Sequence, residues 1–453
     1  MSNPIIRYWK LHKIPILLAL LSCIFYYVFA YQLIRTDFVK LITLFAALFF
    51  ICLRLVRFEK WNLKFLAVCG VIFRLIFLMA EPNLSQDYFR FIWDGHLVSQ
   101  FQNPYLLSPD ALMEQGSKLI PNAELLHQSM GSLSAKHYSN YPPVNQLFFA
   151  LAALFGGQSI FNSILVMRFS IILADLGILY FGRKLLKNLN QSPHLIFWYF
   201  LNPLVIIELT GNLHFEGVMI FFFVWALYLI SIKKWIVAAL PYAFSICVKL
   251  VPLLFLPLFL KYFSIKKSVF FYALVVLACT LLFIPFYSSE FISNYSETVG
   301  LWFSNFEFNA GIYNLVKYTA VQFDAKPWEL IKTYGTITQV LTVLVILALA
   351  FLRKNEKLPV LASSMLWALS FYYFMTPTVH PWYVIFLVVL SLFTEYRFPI
   401  IWSAAATLSY FAYSRADFQE NAWLLTLEYS CVFGFMLYEI VKLGKLKLIF
   451  RNN

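Results

Sequence analysis

Two aspartates and an arginine stand close together in the segment LSQDYFRFIWDGHLVSQFQNPYLLSPD, residues 84–110. If residues 87–99 are helical, Asp87, Arg90 and Asp94 fall near one face, because they are spaced at i, i+3 and i+7. This acid–base–acid stripe is either a solvated surface helix or a carboxylate held beside a cation in a wet pocket. The spacing leaves both interpretations open, and only the second could supply a general base.

A second group of polar residues lies within apolar sequence. The segment LNPLVIIELTGNLHFEG, residues 201–217, contains Glu208 inside the apolar run and His214 with Glu216 at its end. Carboxylates within a membrane are costly and are therefore functional candidates. His214 and Glu216 could be part of a metal site, but no third ligand is spaced to fit, so no metal is predicted. Asp175 lies in another apolar run, and we interpret it as a structural hydrogen-bond partner for a neighbouring helix.

Lys249 and the TPTVHPWYV segment complete the set of unusual residues. Lys249 is the only charge in the run SICVKLVPLLFLPLF, where it either extends to the membrane interface or meets an anion. His380, Trp382 and Tyr383 lie in residues 376–384. Trp and Tyr are common at membrane boundaries as anchors alone, so the sequence leaves their role open.

The composition defines the surroundings in which these residues must work. The chain has 453 residues, of which 61% are hydrophobic and 13% charged, and its mean hydropathy is +0.73. A soluble domain carries about a quarter charged residues. This much apolar surface requires a bilayer, and a chain of apolar runs in a bilayer must be helical. The sequence therefore predicts an all-α polytopic membrane protein.

Apolar runs of about 20 residues are long enough to cross a bilayer. They predict spans near residues 14–34, 38–56, 62–80, 159–182, 195–212, 214–232, 268–287, 334–352, 359–376, 379–394, 398–414 and 421–441. Two further apolar segments do not fit a simple span. Residues 142–157 are too short and are predicted to be re-entrant or interfacial, and residues 235–260, with Lys249 and three prolines, are predicted to be two short helices meeting inside the membrane. The prediction is a bundle of about 12–14 transmembrane helices.

The basic residues predict the orientation of these spans. The net charge is +13, and the lysines and arginines fall mainly in short runs between apolar segments. Such runs favour the cytoplasmic side, and their position gives no reason to expect nucleic acid as a partner. Both termini are then cytoplasmic, and residues 81–140, 288–332 and 376–383 form outer loops. The chain is predicted to be one domain over residues 1–453.

Eight short motifs follow one another within roughly residues 62–384. They are Asp87-Tyr88-x-Arg90-x-x-Trp93-Asp94-Gly95, Asn103-Pro104-Tyr105, Tyr141-Pro142-Pro143, Asn202-Pro203, Gly211-Asn212-x-His214, Lys249-Leu250-x-Pro252, Phe308-Asn309-Ala310-Gly311-Ile312-Tyr313 and His380-Pro381-Trp382-Tyr383. In this order they resemble bacterial membrane mannosyltransferases of the GT-C fold, which use polyprenyl-phosphate sugars. More distantly they resemble the catalytic subunit of the first GPI mannosyltransferase.

The resemblance implies an enzyme that moves a hexose, by default mannose, from a polyprenyl-phosphate carrier to a hydroxyl of a lipid or glycan acceptor. The reaction would invert the anomeric centre at the outer membrane face and need no cofactor. Asp87 would be the general base, and Lys249, Arg90 and His380 would bind the donor phosphate. The implied substrate-binding residues are Tyr88, Asp94, His214, Glu216, Trp382 and Tyr383, with Asp94 orienting either Arg90 or a sugar hydroxyl. A bacterial inner membrane is the implied location, with membrane lipids as surroundings.

This chain departs from the family pattern at two positions. Gln86-Asp87 stands where relatives often have two adjacent acids, and Phe215-Glu216 stands where they often have Asn-Asp. At the first position Asp87 alone must therefore serve. The second departure bears on the sugar or acceptor preference more than on the reaction class. The alternatives are a transporter or flippase of lipid-linked sugars, an O-antigen ligase or polymerase, and a non-catalytic assembly subunit. A transporter should have internal repeats and polar groups near the midplane, whereas here these groups cluster at the predicted outer ends.

Overall fold

The computed structural model describes residues 4–116 and 119–451, and the elements in this part of the chain are helices. Numbered in chain order, the α-helices are α1 (Pro4–Gln32), α2 (Phe38–Phe58), α3 (Leu63–Ile76), α4 (Asp87–Ser99), α5 (Pro109–Glu114), α6 (Ala123–Lys136), α7 (Pro143–Gly156), α8 (Ile160–Asn188), α9 (Phe197–Phe200), α10 (Pro203–Val205), α11 (Glu216–Ser231), α12 (Trp235–Val248), α13 (Ile265–Phe283), α14 (Ser289–Ser304), α15 (Ile312–Val321), α16 (Pro327–Leu352), α17 (Leu358–Met375), α18 (Val384–Leu392), α19 (Phe398–Ala405) and α20 (Ala422–Arg451). Turns of 3₁₀ type lie at Pro193–Ile196, Val251–Leu260, Ile284–Phe286, Pro381–Tyr383 and Ala406–Ser414, and a π-helical turn lies at Ile206–Gly211.

Seven helices in the described residues are long and apolar enough to cross a membrane. They are Arg7–Gln32, Phe38–Phe58, Ile160–Asn188, Ile265–Phe286, Pro327–Leu352, Leu358–Met375 and Ala422–Gly444. Each matches a span that the sequence predicts. The chain is therefore an integral multi-pass membrane protein with an all-α fold, as its composition indicates.

The other five predicted spans are shorter or broken, which corrects the expectation of continuous helices there. The 195–212 span is a pair of helical segments, Pro193–Phe200 and Pro203–Gly211, bent by 54°. The break has a local cause, because the Asn202 side chain accepts a hydrogen bond from the Leu204 amide at 3.0 Å and Pro203 can begin a helix but not continue one. The remaining four cases are α3, α11, Pro381–Leu392 and α19 with its 3₁₀ continuation to Ser414.

The two apolar segments that did not fit a simple span are short helices. Helix α7 has 14 residues, which at 1.5 Å per residue is too short to cross a ~30 Å hydrocarbon core. The 235–260 segment consists of α12 and the 3₁₀ turn Val251–Leu260, with an extended backbone at Lys249 between them. The interruption presents Lys249 at the junction of two helical segments.

Buried arginines hold the broken segments together. Arg74 Nε donates to Asp175 Oδ2 at 2.7 Å, and both side chains are fully buried. Tyr199 donates to the other Asp175 oxygen at 2.5 Å, so this carboxylate joins three helices. Asp175 thus has the structural hydrogen-bonding role that the sequence suggested.

Replacing Asp175 with alanine is expected to destabilise the fold by about 3–5 kcal/mol, because it leaves the Arg74 charge buried without its partner. The measurement is the unfolding midpoint of the purified protein in detergent. The control is Asp37→Ala, which removes an exposed carboxylate that caps α2 and should cost about 1 kcal/mol. Equal losses in the two variants would contradict a stabilising role for the buried pair.

Candidate active site

Helix α4 begins at Asp87 in the long loop of residues 81–140, and hydrogen bonds fix its approach to the bundle. Asn212 Oδ1 accepts from the backbone amides of Asn83 and Leu84 at 3.1 and 3.0 Å. Arg168 donates to four backbone carbonyls, two at residues 78 and 80 and two at residues 210 and 211. These contacts hold the start of α4 against the segment that carries His214 and Glu216.

Lys249 lies between a carboxylate and an aromatic ring. Its ammonium group donates to Glu216 Oε1 and lies 4.4 Å from the centre of the Tyr383 ring. Glu216 is buried, whereas the Lys249 side chain remains 34% exposed. Three elements meet here: the start of α11, the break after α12 and the Pro381–Tyr383 turn. The arrangement leaves a cation accessible at the end of a largely buried ion pair.

Asp87 belongs to the same electrostatic cluster. Burial raises the pKa of this carboxyl above its usual 3.8, and the negative charge of Glu216 raises it further. The nearby His214 and Lys249, together with a hydrogen bond from Ser85, oppose part of that rise. The structure thus brings together Asp87, His214, Glu216 and Lys249, which are up to 162 positions apart in the chain (249 − 87).

An aromatic stack forms one side of this cluster. The Trp382 ring lies between two histidine rings, 3.9 Å from His214 and 4.3 Å from His380, with interplanar angles of 16° and 4°. Phe308 covers the other face of His380 at 5.0 Å. Both faces of Trp382 are therefore covered, and any contact it makes with a sugar or isoprene would be through its edge. In this arrangement Trp382 holds the two histidines in place.

His380 is uncharged in this setting. Burial, the nearby positive charge of Lys249 and the neighbouring His214 lower its pKa to about 3. At neutral pH it can therefore donate a hydrogen bond to an anion but cannot supply a positive charge. Its Nδ1 atom is buried and has no hydrogen-bond partner among the described residues.

Glu208 contacts His214. From the sequence, Glu208 was recognised only as a carboxylate within an apolar run. Its Oε2 atom is 3.1 Å from His214 Nε2, and its backbone carbonyl accepts from the His214 amide at 3.2 Å. Its Oε1 atom accepts from Tyr410 and from Asn212, the latter at 3.1 Å. The π-helical turn at Ile206–Gly211 directs this carboxylate inward, and such turns recur at functional sites.

Arg90 and Asp94 form a separate, buried group. Arg90 Nε donates to Asp94 Oδ1 at 2.7 Å, and its NH1 atom donates to the carbonyls of Ser134 and His137 at 2.6 and 3.0 Å. Asp94 Oδ2 in turn accepts from Ser139 at 2.5 Å. The guanidinium thus ties together the two ends of the long loop. Its NH2 atom is buried and has no hydrogen-bond partner among the described residues, and the contact of Arg90 with the donor phosphate stays a prediction. Asp94 accepts a hydrogen bond from Arg90, and its part in substrate binding likewise stays a prediction.

Tyr88 also lies apart from the Lys249 cluster. Its side chain is buried on the side of α4 that is near Glu81 and Arg168, and its ring is 4.0 Å from that of Phe89.

Of the ten predicted site residues, seven surround or support the cluster: Asp87, His214, Glu216, Lys249, His380, Trp382 and Tyr383. Sequence reasoning missed Tyr410, the contact of Phe308 with His380 and the bonding of Lys249 to Glu216, because no pattern in the sequence links these distant positions.

In this multi-pass helical bundle, a loop carboxylate, a lysine and a histidine–tryptophan stack meet at one place. This arrangement is the one expected of a membrane-embedded glycosyltransferase. Residues 19–264, a little over half of the chain, match the family described as alpha-(1->6)-mannopyranosyltransferase, N-terminal domain, and the chain belongs to that family. It is therefore a mannosyl-transferring glycosyltransferase, as the motif order indicates. The matched region contains Asp87, His214, Glu216 and Lys249. A search of curated proteins finds no match.

Proposed function

We propose that this enzyme transfers mannose from a polyprenyl-phosphate carrier to a hydroxyl group of a lipid or glycan acceptor, with inversion, at the outer face of a bacterial inner membrane. One observation carries the proposal. The partly exposed Asp87 lies in the same cluster as Lys249, at the junction between the long loop and a broken helix of the bundle. A base and a cation in one cluster are the two groups that displacement of a phosphate by an alcohol requires.

Lys249 would bind the phosphate of the donor. A polyprenyl-phosphate sugar is a phosphodiester with one negative charge, and the polyprenyl phosphate that leaves carries two. The positive charge of Lys249 is therefore worth more in the transition state than in the bound donor, which is the condition for catalysis. Glu216 neutralises Lys249 in the structure, so the donor phosphate would compete with this carboxylate for the ammonium group.

Asp87 would accept the proton of the acceptor hydroxyl. As that oxygen forms its bond to the anomeric carbon, the bond from the carbon to the phosphate oxygen breaks, and its electron pair leaves with the phosphate. Attack on the face opposite the phosphate inverts the anomeric centre. Asp87 suits this role better than Glu216, because Glu216 is buried and already accepts a hydrogen bond from Lys249.

His380 and Tyr383 would complete the site. Neutral His380 would donate a hydrogen bond to the phosphate of the sugar donor. The Tyr383 ring lies against the Lys249 ammonium group and would help to position it. The charge distribution supports the orientation, since basic runs favour the cytoplasm and the cluster then faces outward. Both termini would be cytoplasmic.

The test is transfer of radiolabelled mannose from synthetic polyprenyl-phosphate mannose to membrane lipid and glycan acceptors by the purified enzyme. GDP-mannose serves as the comparison donor. We expect transfer from the lipid-linked donor alone, and product with the anomeric configuration opposite to that of the donor. Transfer from GDP-mannose alone would refute the proposed donor class, and retention of configuration would refute direct attack.

The pH dependence of kcat/KM is expected to reflect the raised pKa of Asp87. A base works only when deprotonated, so activity should fall on the acid side, at a pH above the usual carboxyl value of 3.8. In Glu216→Gln, loss of the negative charge should lower the pKa of Asp87 and move this acid limb to lower pH. The matched control is Glu114→Gln, an exposed acid in the same long loop. An acid limb that moves equally in both variants, or in neither, would contradict the assignment.

A further inference from the structure

A second carboxylate site lies at the start of α20, outside the cluster described above. Glu428 is fully buried, and its Oε1 atom accepts hydrogen bonds from Trp402 Nε1 at 2.9 Å and Asn309 Nδ2 at 3.0 Å. Its Oε2 atom has no hydrogen-bond partner among the described residues. A buried ionised carboxylate is strongly unfavourable unless a cation compensates it. The Oε2 atom of Glu428 therefore lacks the donor or cation that a buried carboxylate oxygen needs.

Asn309 presents a second buried oxygen without a partner. The residue is fully buried, and its Oδ1 atom makes no hydrogen bond within the described part of the chain. Three hydrogen bonds fix its orientation. The backbone N–H donates to Glu420, the backbone carbonyl accepts from the Tyr429 hydroxyl at 2.7 Å, and the side-chain Nδ2 donates to Glu428. The backbone is held in the left-handed region, with φ of 51°. The surrounding contacts thus fix the position of the free Oδ1.

Glu428 and Asn309, the residues that carry these two oxygens, line one small cavity, which is large enough for a single ion or water molecule. Its polar lining comes from Glu428, Asn309, Glu420, Ser409 and Asn421, and its remaining lining residues are apolar, so no basic side chain faces it. The positive charge of Lys317 acts on Glu420, but the Lys317 ammonium group donates to Glu307 and Lys317 does not line the cavity. The lining of the cavity therefore includes two carboxylates and several neutral polar side chains, and it includes no positively charged side chain.

We propose that this cavity is a binding site for a divalent cation of the calcium type, with Glu428 Oε2, Asn309 Oδ1 and the Glu420 carboxylate as ligands. Carboxylate and amide oxygens in an irregular arrangement are the donors that Ca²⁺ takes, and waters can fill its remaining positions. The ion would compensate the buried charge of Glu428. The ligands come from two separate parts of the chain. Asn309 belongs to one of the eight motifs, but Glu420 and Glu428 lie in none of them, so the sequence alone did not indicate the site.

The site is connected to the aromatic stack. Phe308, the neighbour of Asn309, exchanges backbone hydrogen bonds with Pro377 and Val379 at 3.0 and 2.8 Å, and its ring covers His380. A cation that joins Asn309 to Glu428 would thereby hold the backbone at Phe308 against the loop that precedes His380. Its effect on the enzyme would be positional, and the inference stands independently of which donor is used.

Terbium luminescence tests the site directly, because Tb³⁺ occupies calcium sites and can be excited through a nearby tryptophan. Trp402 is bonded to Glu428 and is placed to transfer energy to an ion in the cavity. We expect the full chain in zwitterionic nanodiscs, after chelator treatment, to give a saturable signal that Ca²⁺ displaces with a stoichiometry of one. Glu428→Gln should abolish this signal, and the control Glu297→Gln, which changes an exposed acid that does not line the cavity, should retain it.

Two further variants keep the test decisive if Glu428→Gln does not fold. Glu420→Gln should weaken Ca²⁺ binding at least tenfold. Asn309→Asp adds a third carboxylate at a residue type that tolerates the left-handed backbone, and it should tighten binding and enlarge the rise in melting temperature caused by Ca²⁺. A gain of affinity cannot come from misfolding. No Ca²⁺ effect on melting in wild type and in Asn309→Asp would overturn the proposal and indicate that Glu428 is a buried neutral acid.

Discussion

Replacing Asp87 with asparagine is expected to lower kcat/KM by ~10²- to 10⁴-fold, the range typical for loss of a general base. The amide has nearly the same shape as the carboxylate but cannot accept the acceptor's proton. Because Asp87 is partly exposed and its backbone begins α4, the substitution should leave insertion and the unfolding midpoint unchanged. The measurement is initial-rate transfer from polyprenyl-phosphate mannose by wild type and variant purified side by side.

The matched control for this substitution is Asp110→Asn. Asp110 lies in the same long loop, is 44% exposed and contacts His127 at 2.6 Å, away from the Lys249 cluster. It should retain the wild-type rate. A base also differs from a merely positioning group in its pH profile, since the residual activity of Asp87→Asn should lack the acid limb. Wild-type turnover in Asp87→Asn would remove this residue from the mechanism and leave Glu216 as the remaining carboxylate of the cluster.

Replacing Lys249 with methionine is expected to lower kcat/KM for the lipid-linked donor by ~10²-fold. A hydrogen bond to a charged group contributes about 1.5–3 kcal/mol, and at 1.4 kcal/mol per factor of ten the upper part of that range is ~10²-fold. Methionine keeps the apolar stem that lies by the Tyr383 ring while removing the charge. Part of the loss should fall on kcat, because the phosphate gains charge in the transition state.

Loss of Lys249 also leaves the buried Glu216 carboxylate without its partner, so a stability effect must be separated from a catalytic one. The double variant Lys249→Met with Glu216→Gln removes both charges. It should recover the unfolding midpoint relative to Lys249→Met but not the transfer rate. Lys249→Arg, which keeps the positive charge, should retain more activity than Lys249→Met. Recovery of full activity by the double variant would refute the phosphate assignment.

Local sequence properties were sufficient to predict the fold class. Apolar runs such as 38–56 and 334–352 form helices at nearly those positions, because a continuous apolar stretch in a bilayer can satisfy its backbone hydrogen bonds only as a helix. The break at Lys249 was also predictable, since a charge next to several prolines cannot continue an apolar helix. The break at Asn202 was missed, because it depends on the side chain of one residue capping the next segment.

The candidate site could be predicted only in part. The sequence identified Asp87, Glu216 and Lys249 as unusual residues. It placed Arg90 with them because Arg90 shares the first of the ordered motifs with Asp87. The structure instead directs Arg90 toward Asp94 and the carbonyls at the end of the long loop. The bond from Arg90 to Asp94 joins residues four positions apart, which a helix brings together, but the two carbonyls that Arg90 also binds lie 44 and 47 positions away and could not be predicted from local spacing.

The sequence by itself determined that this protein is a helical membrane protein and a mannosyltransferase, because composition, apolar run length and motif order are all properties of the chain as written. Only the tertiary structure decided which polar groups face one another. Glu208 meets Tyr410 across 202 positions, and Asn309 meets Glu428 across 119. Such contacts depend on how broken helices pack, and in a low-dielectric interior each buried charge must be near a partner that no local pattern specifies.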